Sequence, residues 1–434
     1  MYNILDFLET HLEITDNLYQ LPVDDLFTMA ARINKKRSFL FVSKVLGKHL
    51  PIVPAKGLLT GALLASRYVE ETFKIKVPQR ESLLSSFLMN EPKISITPFV
   101  PENINPVIIG FAETATALGH SFFTCFKHAE FFHTTREEFI EQKAVITFEE
   151  EHSHATAHRC YIPEEMIKNE REIILVDDEL TTGKTALNII QSIHQNFPRQ
   201  KYTIVSILDW RSEEDKQALK HFEKQLGVSI NVVSLVRGNV TVKQVRDIEL
   251  YSRNNSAKSH PPIEIVRLST FFQAADDPKF PAMKVPYIKE TGRFGLSSFE
   301  NQTLQQNISK AASLLKEKRE GRTTLCLGTG EFMYLPMKIA SEMGSNIFYQ
   351  STTRSPIYIH DREGYGVRNG IVFPNPEDQA IVNYVYNIQP EQYDELFLFF
   401  EREIDMNRLK PLLMELDQLK FQTIKLVFFS GGGS

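Results

Sequence analysis

REIILVDDELTTGKT, residues 171–185, joins an apolar run, two carboxylates and a loop of hydroxyls and backbone amides in fifteen residues. Ile173, Ile174, Leu175 and Val176 have the character of a short strand at the centre of a parallel sheet. Asp177 and Asp178 fall at its carboxyl end. Open α/β sheets bind ligands at that edge, and two adjacent acids there can accept hydrogen bonds from the hydroxyls of a ribose. Thr181, Thr182, Gly183, Lys184 and Thr185 follow, before a helix expected to start near Ala186, and supply the amides and hydroxyls of a phosphate cradle. The triphosphate P-loop also ends in Gly-Lys-Thr, but it needs a glycine five positions before Gly183. Asp178 stands there, and its charge would face the phosphates. The bland alternative is a strand-turn-helix that is merely acidic and threonine-rich.

The stretch resembles the phosphoribosyl-pyrophosphate signature of type I phosphoribosyltransferases. The resemblance implies that Asp177 and Asp178 hold the ribose 2′ and 3′ hydroxyls and that the loop from Thr181 to Thr185 holds the 5′-phosphate. It also implies a cofactor, Mg2+, bound through phosphoribosyl pyrophosphate, with no protein residues singled out as metal ligands.

Upstream, PVIIGFAETATALGH (residues 106–120) reads as a strand, a glycine turn and a helix of small residues. Gly110 allows a sharp turn that brings backbone amides to the strand edge, where a pyrophosphate could dock; a tight, close-packed βα turn is the plain alternative. Glu113 is odd beside a pyrophosphate and calls for a cation nearby. Between the two features, TFEEEHSHATAHRCY (residues 147–161) carries His152, His154 and His158. It admits three readings: a catalytic lid, a metal site or an inert loop. His154 and Arg159 are the catalytic candidates.

Lys35, Lys36, Arg37, Lys44 and Lys48 surround an apolar strand near the amino terminus. Arg37, Lys44 and Lys48 are candidates for neutralising a departing pyrophosphate, against the alternative of a solvated charged face. Asp209, Trp210 and Arg211 end a strand expected from Thr203 to Leu208. Their place at its tip suggests contact with the acceptor base, with the single Trp either a stacking plate or core.

The carboxy-terminal half repeats part of this pattern. Gly110 precedes Glu113 by three residues and Thr134-Thr135-Arg136 by twenty-four; Gly328 precedes Glu331 and Thr352-Thr353-Arg354 by the same intervals. Glu172 and Glu395 open corresponding apolar strands, 62 and 67 residues after their glycines. The second half therefore reads as a duplicate fold. It is degenerate, because FEREIDMNR stands where the first half has DDELTTGKT. The second-half site candidates are Gly328, Glu331, Thr353, Arg354 and Ser355, with Arg354 able to grip a phosphate or carboxylate.

The run TTRSP (residues 352–356), after GFAET, EHSHAT and VDDELTTGKT segments, narrows the resemblance. The chain is similar to proteins in which an orotate phosphoribosyltransferase-like domain precedes a TRSP domain, as in bacterial tellurite-resistance and stress gene clusters. The expected fold is α/β: a type I phosphoribosyltransferase-like parallel sheet flanked by helices, followed by a second α/β domain. The expected domains are residues 1–262 with an amino-terminal hood and residues 275–430, with 431–434 an appended linker and the polar stretch 252–262 connecting the two. The implied partners are phosphoribosyl pyrophosphate and a nucleobase-like acceptor, with a homodimer left open.

Composition agrees. The 434 residues exceed one ordinary core, and the net charge of −5 gives no global basic footprint for nucleic acid. Three scattered cysteines suggest a reducing cytosol, and no apolar run reaches membrane-spanning length. The amino-terminal stretch carries acids where a signal peptide would carry basic residues, so a cytoplasmic protein is expected. Two further readings stay open: a sensor that binds phosphoribosyl pyrophosphate without chemistry, and a second domain that acts on the product of the first.

Overall fold

The computed structural model describes residues 2–4, 8–33, 39–92, 94–139, 142–149, 157–244, 261–275 and 286–431. Five parallel strands form the middle of a first sheet: β1 (Val107–Gly110), β2 (Glu130–His133), β3 (Ile173–Leu180), β4 (Lys201–Asp209) and β5 (Ser229–Gln244), in the order β2-β1-β3-β4-β5. Ile108, Ile109, Ile173, Ile174, Leu175, Val176, Ile204 and Val205 are wholly buried, as strands covered on both faces require. The strands Leu8–Asp16 and Tyr2–Ile4 extend this sheet beyond β5, and the short strand Leu296–Ser297 pairs antiparallel with β2.

A second, all-parallel sheet contains β6 (Ile263–Arg267), β7 (Thr324–Gly328), β8 (Ile347–Ser351), β9 (Glu395–Arg402) and β10 (Thr423–Ser430), in the order β8-β7-β9-β10-β6. The first four places repeat the order of the first sheet, and the fifth is filled by the strand that comes earliest in this half. The register repeats as well. Ile109 pairs with Leu175 and Leu327 with Leu398, so Asp177 corresponds to Phe400 and Asp178 to Glu401. Ala112 N donates to Thr134 Oγ1 at 2.9 Å, and Gly330 N donates to Thr352 Oγ1 at 2.9 Å. The matched glycines and threonines of the sequence thus occupy matched positions.

The two halves exchange segments. Leu296 pairs with Phe131 on β2, while Ile52 pairs with Tyr349 on β8 through main-chain bonds of 2.9 and 2.8 Å. Each half therefore covers an outer strand of the other, which removes an exposed sheet edge. Each inserted segment leads into a twenty-residue helix, α1 (Pro54–Phe73) in one half and α4 (Ser298–Glu317) in the other. Ser297 caps α4 in a reciprocal box with Glu300. Helices α2 (Ala115–Phe123) and α5 (Tyr334–Glu342) follow β1 and β7, and α1 packs against both. His120 on α2 stacks on Tyr334 of α5, centroids 3.6 Å apart, and its Nε2 lies 3.0 Å from Asn301 Oδ1 on α4. One apolar core runs through residues of both halves.

These exchanges alter the expected division of the chain. β6 lies before residue 275 yet belongs to the second sheet, and Leu296–Ser297 lies after it yet belongs to the first. Of the connection expected at 252–262, residues 252–260 lie outside the described residues.

Gly47 and Gly292 open the exchanged segments with φ of +67° and +89°. An added Cβ would come within 2.7 Å of the Tyr349 ring at Gly47 and 2.5 Å of the Phe131 ring at Gly292. Gly292→Ala is expected to destabilise by about 2–5 kcal/mol, from left-handed strain of about 1–2 kcal/mol and overpacking of about 1–3 kcal/mol. Gly227, at φ +68° with open space around it, isolates the strain alone. Urea midpoints that shift equally for Gly292→Ala and Gly227→Ala would refute the packing argument.

Candidate active site

β1 and β3 are neighbours, and the chain leaves them for opposite sides of the sheet, so a crevice opens at their carboxyl ends. Gly110 pairs with Val176, which brings the turn after β1 alongside Asp177 and Asp178. β3 does not stop at Val176. It runs on through Leu180, with Asp177 paired to Ser206 and Glu179 to Leu208, so the two acids ride on the strand and not on a loop beyond it. Asp178 N donates to Asp177 Oδ1 at 2.9 Å. Burial, reinforced by the adjacent Asp178 and by Glu179, pushes the Asp177 carboxyl well above its ordinary value.

Gly183 takes φ +80° at the start of α3 (Lys184–Asn196), a conformation that favours glycine. The helix begins two residues before the expected Ala186. Thr181, Thr182 and Thr185 are half-buried and Lys184 is exposed, with Lys184 N bonded to Thr182 Oγ1 at 3.3 Å.

Asp209, Trp210 and Arg211 are placed differently from the acceptor-facing expectation. Arg211 grips Asp209 through two bonds of 2.8 Å, and both are buried. An added Cβ on Gly183 would lie 3.3 Å from Arg211 Cδ, so this pair lies beside the phosphate loop. Trp210 is 4 % exposed and stacks on Phe41 at 5.3 Å, with Phe27 edge-on at 5.8 Å. It is core, not a stacking plate. Both phenylalanines belong to the antiparallel hairpin Phe27–Ala31 and Phe39–Ser43, the expected hood.

The cations divide. Lys35, Lys36 and Arg37 lie outside the described residues, and Lys44 donates to the Asp24 carbonyl at 2.7 Å. Lys48 is neither solvated nor free for a pyrophosphate: 1 % exposed, it holds Glu113 Oε2 at 2.9 Å and the Gly330 carbonyl at 3.2 Å. It is the cation that Glu113 called for. Burial alone would raise Glu113; the field of Lys48, with Arg136 and Arg354, outweighs it and holds the carboxyl down at about 2. Burial likewise pulls Lys48 down, against the attraction of Glu113 at 2.9 Å.

The His-rich interval forms the antiparallel hairpin Ile146–Glu149 and Ala157–Cys160. His152 and His154 lie outside the described residues. Phe148 meets Phe111 edge-on at 6.1 Å, and its strand packs on α3, so the stem spans the two loops of the crevice. His158 is buried with Nδ1 2.9 Å from Thr134 Oγ1. Arg159 pairs with Glu138 at 3.0 Å. Among the described residues no group of three or more His, Cys, Asp or Glu is placed to hold a metal ion, and no helix is long and apolar enough to cross a membrane.

In the second half, Gly328 is a glycine because a Cβ would meet the Phe332 carbonyl at 2.8 Å. Glu331 turns toward the first half, accepting from Thr135 Oγ1 at 2.6 Å and Arg136 N at 2.8 Å. Arg354 answers in the reverse direction, its Nε 3.8 Å from Glu113 Oε1. Each acid of the repeated pattern thus reaches the Thr-Thr-Arg run of the other half. Thr353 is buried and exchanges main-chain bonds with Tyr384, and its Oγ1 accepts from Ser355 N at 3.1 Å. The sequence reading missed Arg293, whose guanidinium grips Glu401 at 2.7 and 2.9 Å, and Tyr287, which both Arg293 and Arg402 cover. Burial raises Glu401 to about 7 against the pull of Arg293.

Residues 26–239 match a family model described as phosphoribosyl transferase, and residues 290–416 match the TRSP domain found on the carboxyl side of that transferase domain. No curated relative matches the sequence. Similar solved structures include the adenine phosphoribosyltransferases of Trypanosoma brucei (11 % identity, 51 % of this chain and 80 % of that one, TM-score 0.32), Leishmania tarentolae (13 %, 52 % and 94 %, 0.27) and Giardia lamblia (17 %, 42 % and 83 %, 0.25). At these scores the likenesses add nothing to the strand order. The fold and the family match define a phosphoribosyltransferase, a pentosyl-transferring enzyme. The chain belongs to the phosphoribosyltransferase family whose transferase domain is followed by a TRSP domain.

Proposed function

We propose that the first half transfers the 5-phosphoribosyl group of phosphoribosyl pyrophosphate to a nitrogen of a nucleobase-like acceptor, releasing pyrophosphate. The observation that carries this reading is the register of β1 and β3, with the Gly110 turn and the Asp177–Asp178 pair on adjacent strands and Gly183 opening α3 beyond them. Asp177 and Asp178 accept from the ribose hydroxyls, and the Thr181 to Thr185 loop holds the 5′-phosphate by hydroxyls and amides. The C1–oxygen bond breaks with its electron pair leaving on pyrophosphate, and the acceptor nitrogen forms the new bond to C1. The carboxylates favour the positive charge that develops on the ring between these events.

Two adjacent acids, one with its pKa raised by burial, suit a hard divalent cation brought in on the substrate's oxygens. Magnesium so bound would neutralise the pyrophosphate charge. The strands Ile146–Glu149 and Ala157–Cys160, the second carrying Arg159, lie against Phe111 and α3, which supports a lid that excludes the water competing with the acceptor. The resemblance to TRSP-bearing proteins of tellurite-resistance and stress gene clusters supports a place for the product in a bacterial stress pathway.

The test is pyrophosphate release from phosphoribosyl pyrophosphate and Mg2+ across a panel of purine and pyrimidine bases. Release dependent on one base supports transfer. Tight binding with no release for any base would mean a sensor instead.

A further inference from the structure

The carboxyl edge of the second sheet opens a cleft of about 500 Å3, counting its mouth, that phosphoribosyl transfer does not use. It occupies the place in the second half that the β1–β3 crevice occupies in the first: the Thr329–Gly330 turn follows β7, Glu401 lies near the end of β9, and Arg354 follows β8. Asn383, on the strand Val382–Tyr386, lines it too.

Most of the charge in the cleft is already matched. Arg293 holds Glu401, Arg402 holds Glu377 at 2.8 Å, and Glu331 is taken up by Thr135 and Arg136. Arg293 keeps a buried Nε without a hydrogen bond while its Nη1 holds Glu401, and two further groups are not matched. Arg354 has a buried Nε with no hydrogen bond, and its nearest carboxylate oxygen, on Glu113, is 3.8 Å away. Asn383 is 3 % exposed, and its buried Oδ1 has no partner. A buried polar atom left unbonded costs about 1–3 kcal/mol, so an orphaned acceptor and an underused guanidinium in one cleft call for an occupant.

We propose that this cleft is a second binding site, for a small polar molecule that sets a phosphate or carboxylate on Arg354 and a hydroxyl or N–H donor on Asn383 Oδ1. The planar guanidinium suits either anion. Phosphoribosyl pyrophosphate is excluded as the occupant, because Phe400 stands where the first half has Asp177 and the adjacent acid pair is missing.

The experiment is calorimetric titration of the whole chain with ribose 5-phosphate and, separately, with malonate, which has carboxylates but no hydroxyl or N–H donor. Ribose 5-phosphate is expected to show two binding events, one in each half. Arg354→Met should weaken the second-half event roughly tenfold or more, the value of a lost charged hydrogen bond. Asn383→Leu should weaken ribose 5-phosphate there and leave malonate unchanged, which separates loss of the acceptor from a general failure to fold. A second event seen with malonate alone would assign the site to carboxylates, and one seen with ribose 5-phosphate alone to phosphates. The proposal is overturned by no second event with either probe, or by a second event that Arg354→Met does not touch.

Discussion

Replacing Asp177 and Asp178 together by asparagine is expected to lower kcat/KM for phosphoribosyl pyrophosphate by about 100- to 1,000-fold, the usual cost of removing fixed charge aimed at a transition state. The fold should respond in the opposite direction. An acid whose folded-state pKa lies above its unfolded value adds stability at low pH and costs stability as pH rises past the unfolded value, here 3.8. Asp177 is such an acid, crowded by Asp178 and Glu179. At neutral pH the asparagine pair removes that repulsion, so the melting temperature should hold or rise while turnover collapses. Groups kept for chemistry against the interest of the fold behave in this way. Unchanged turnover, or a melting temperature that falls along with activity, would sink the assignment.

Lys48→Met is expected to destabilise the protein by about 3–5 kcal/mol, the cost of stranding a buried charge. Glu113 would keep the fields of Arg136 and of Arg354, whose Nε is 3.8 Å away. Adding Glu113→Gln should recover much of the loss, since an amide in that place carries no charge to desolvate. The pH dependence follows from a depressed acid. The stability that Glu113 contributes is fully present above its ordinary value of 4.5 and is lost as pH falls toward 2. Protonated Glu113 has no need of Lys48, so the penalty of Lys48→Met should shrink on acidification. Urea denaturation at neutral pH and near pH 4, on the two single variants and the double, measures both effects. A penalty independent of pH would show that Lys48 matters through packing alone.

Local features were legible in the sequence. The apolar run before Asp177, the glycine at φ +80° and the helix after it are encoded within fifteen residues, and they form as read apart from the length of β3 and a two-residue shift of the helix start. The repeated spacing from Gly110 and Gly328 was legible too, because it holds one strand, one crossover helix and one neighbouring strand at fixed lengths. What no spacing records is which side chains meet across the two halves. Glu113 plainly needed a cation, but Lys48 and Arg354 lie far from it in the chain on opposite sides. Trp210 and the Asp209–Arg211 pair sit at a strand tip, a position that looks like a ligand contact until the hairpin Phe27–Ala31 and Phe39–Ser43 is known to cover it.

The reciprocal reach of Glu113 and Glu331 into the opposite half has a meaning for how such a protein can change. Two identical subunits joined about a two-fold axis share one gene, so any substitution in one pocket is imposed on its twin. Here the same handshake is made within one polypeptide. Its two ends cannot drift apart on dilution, and the association term that would make a dimer's stability depend on protein concentration is gone. Each pocket is therefore written separately. Phe400 can stand on one side where Asp177 stands on the other, and the second half can keep its place in the shared core while its own cleft takes a different form.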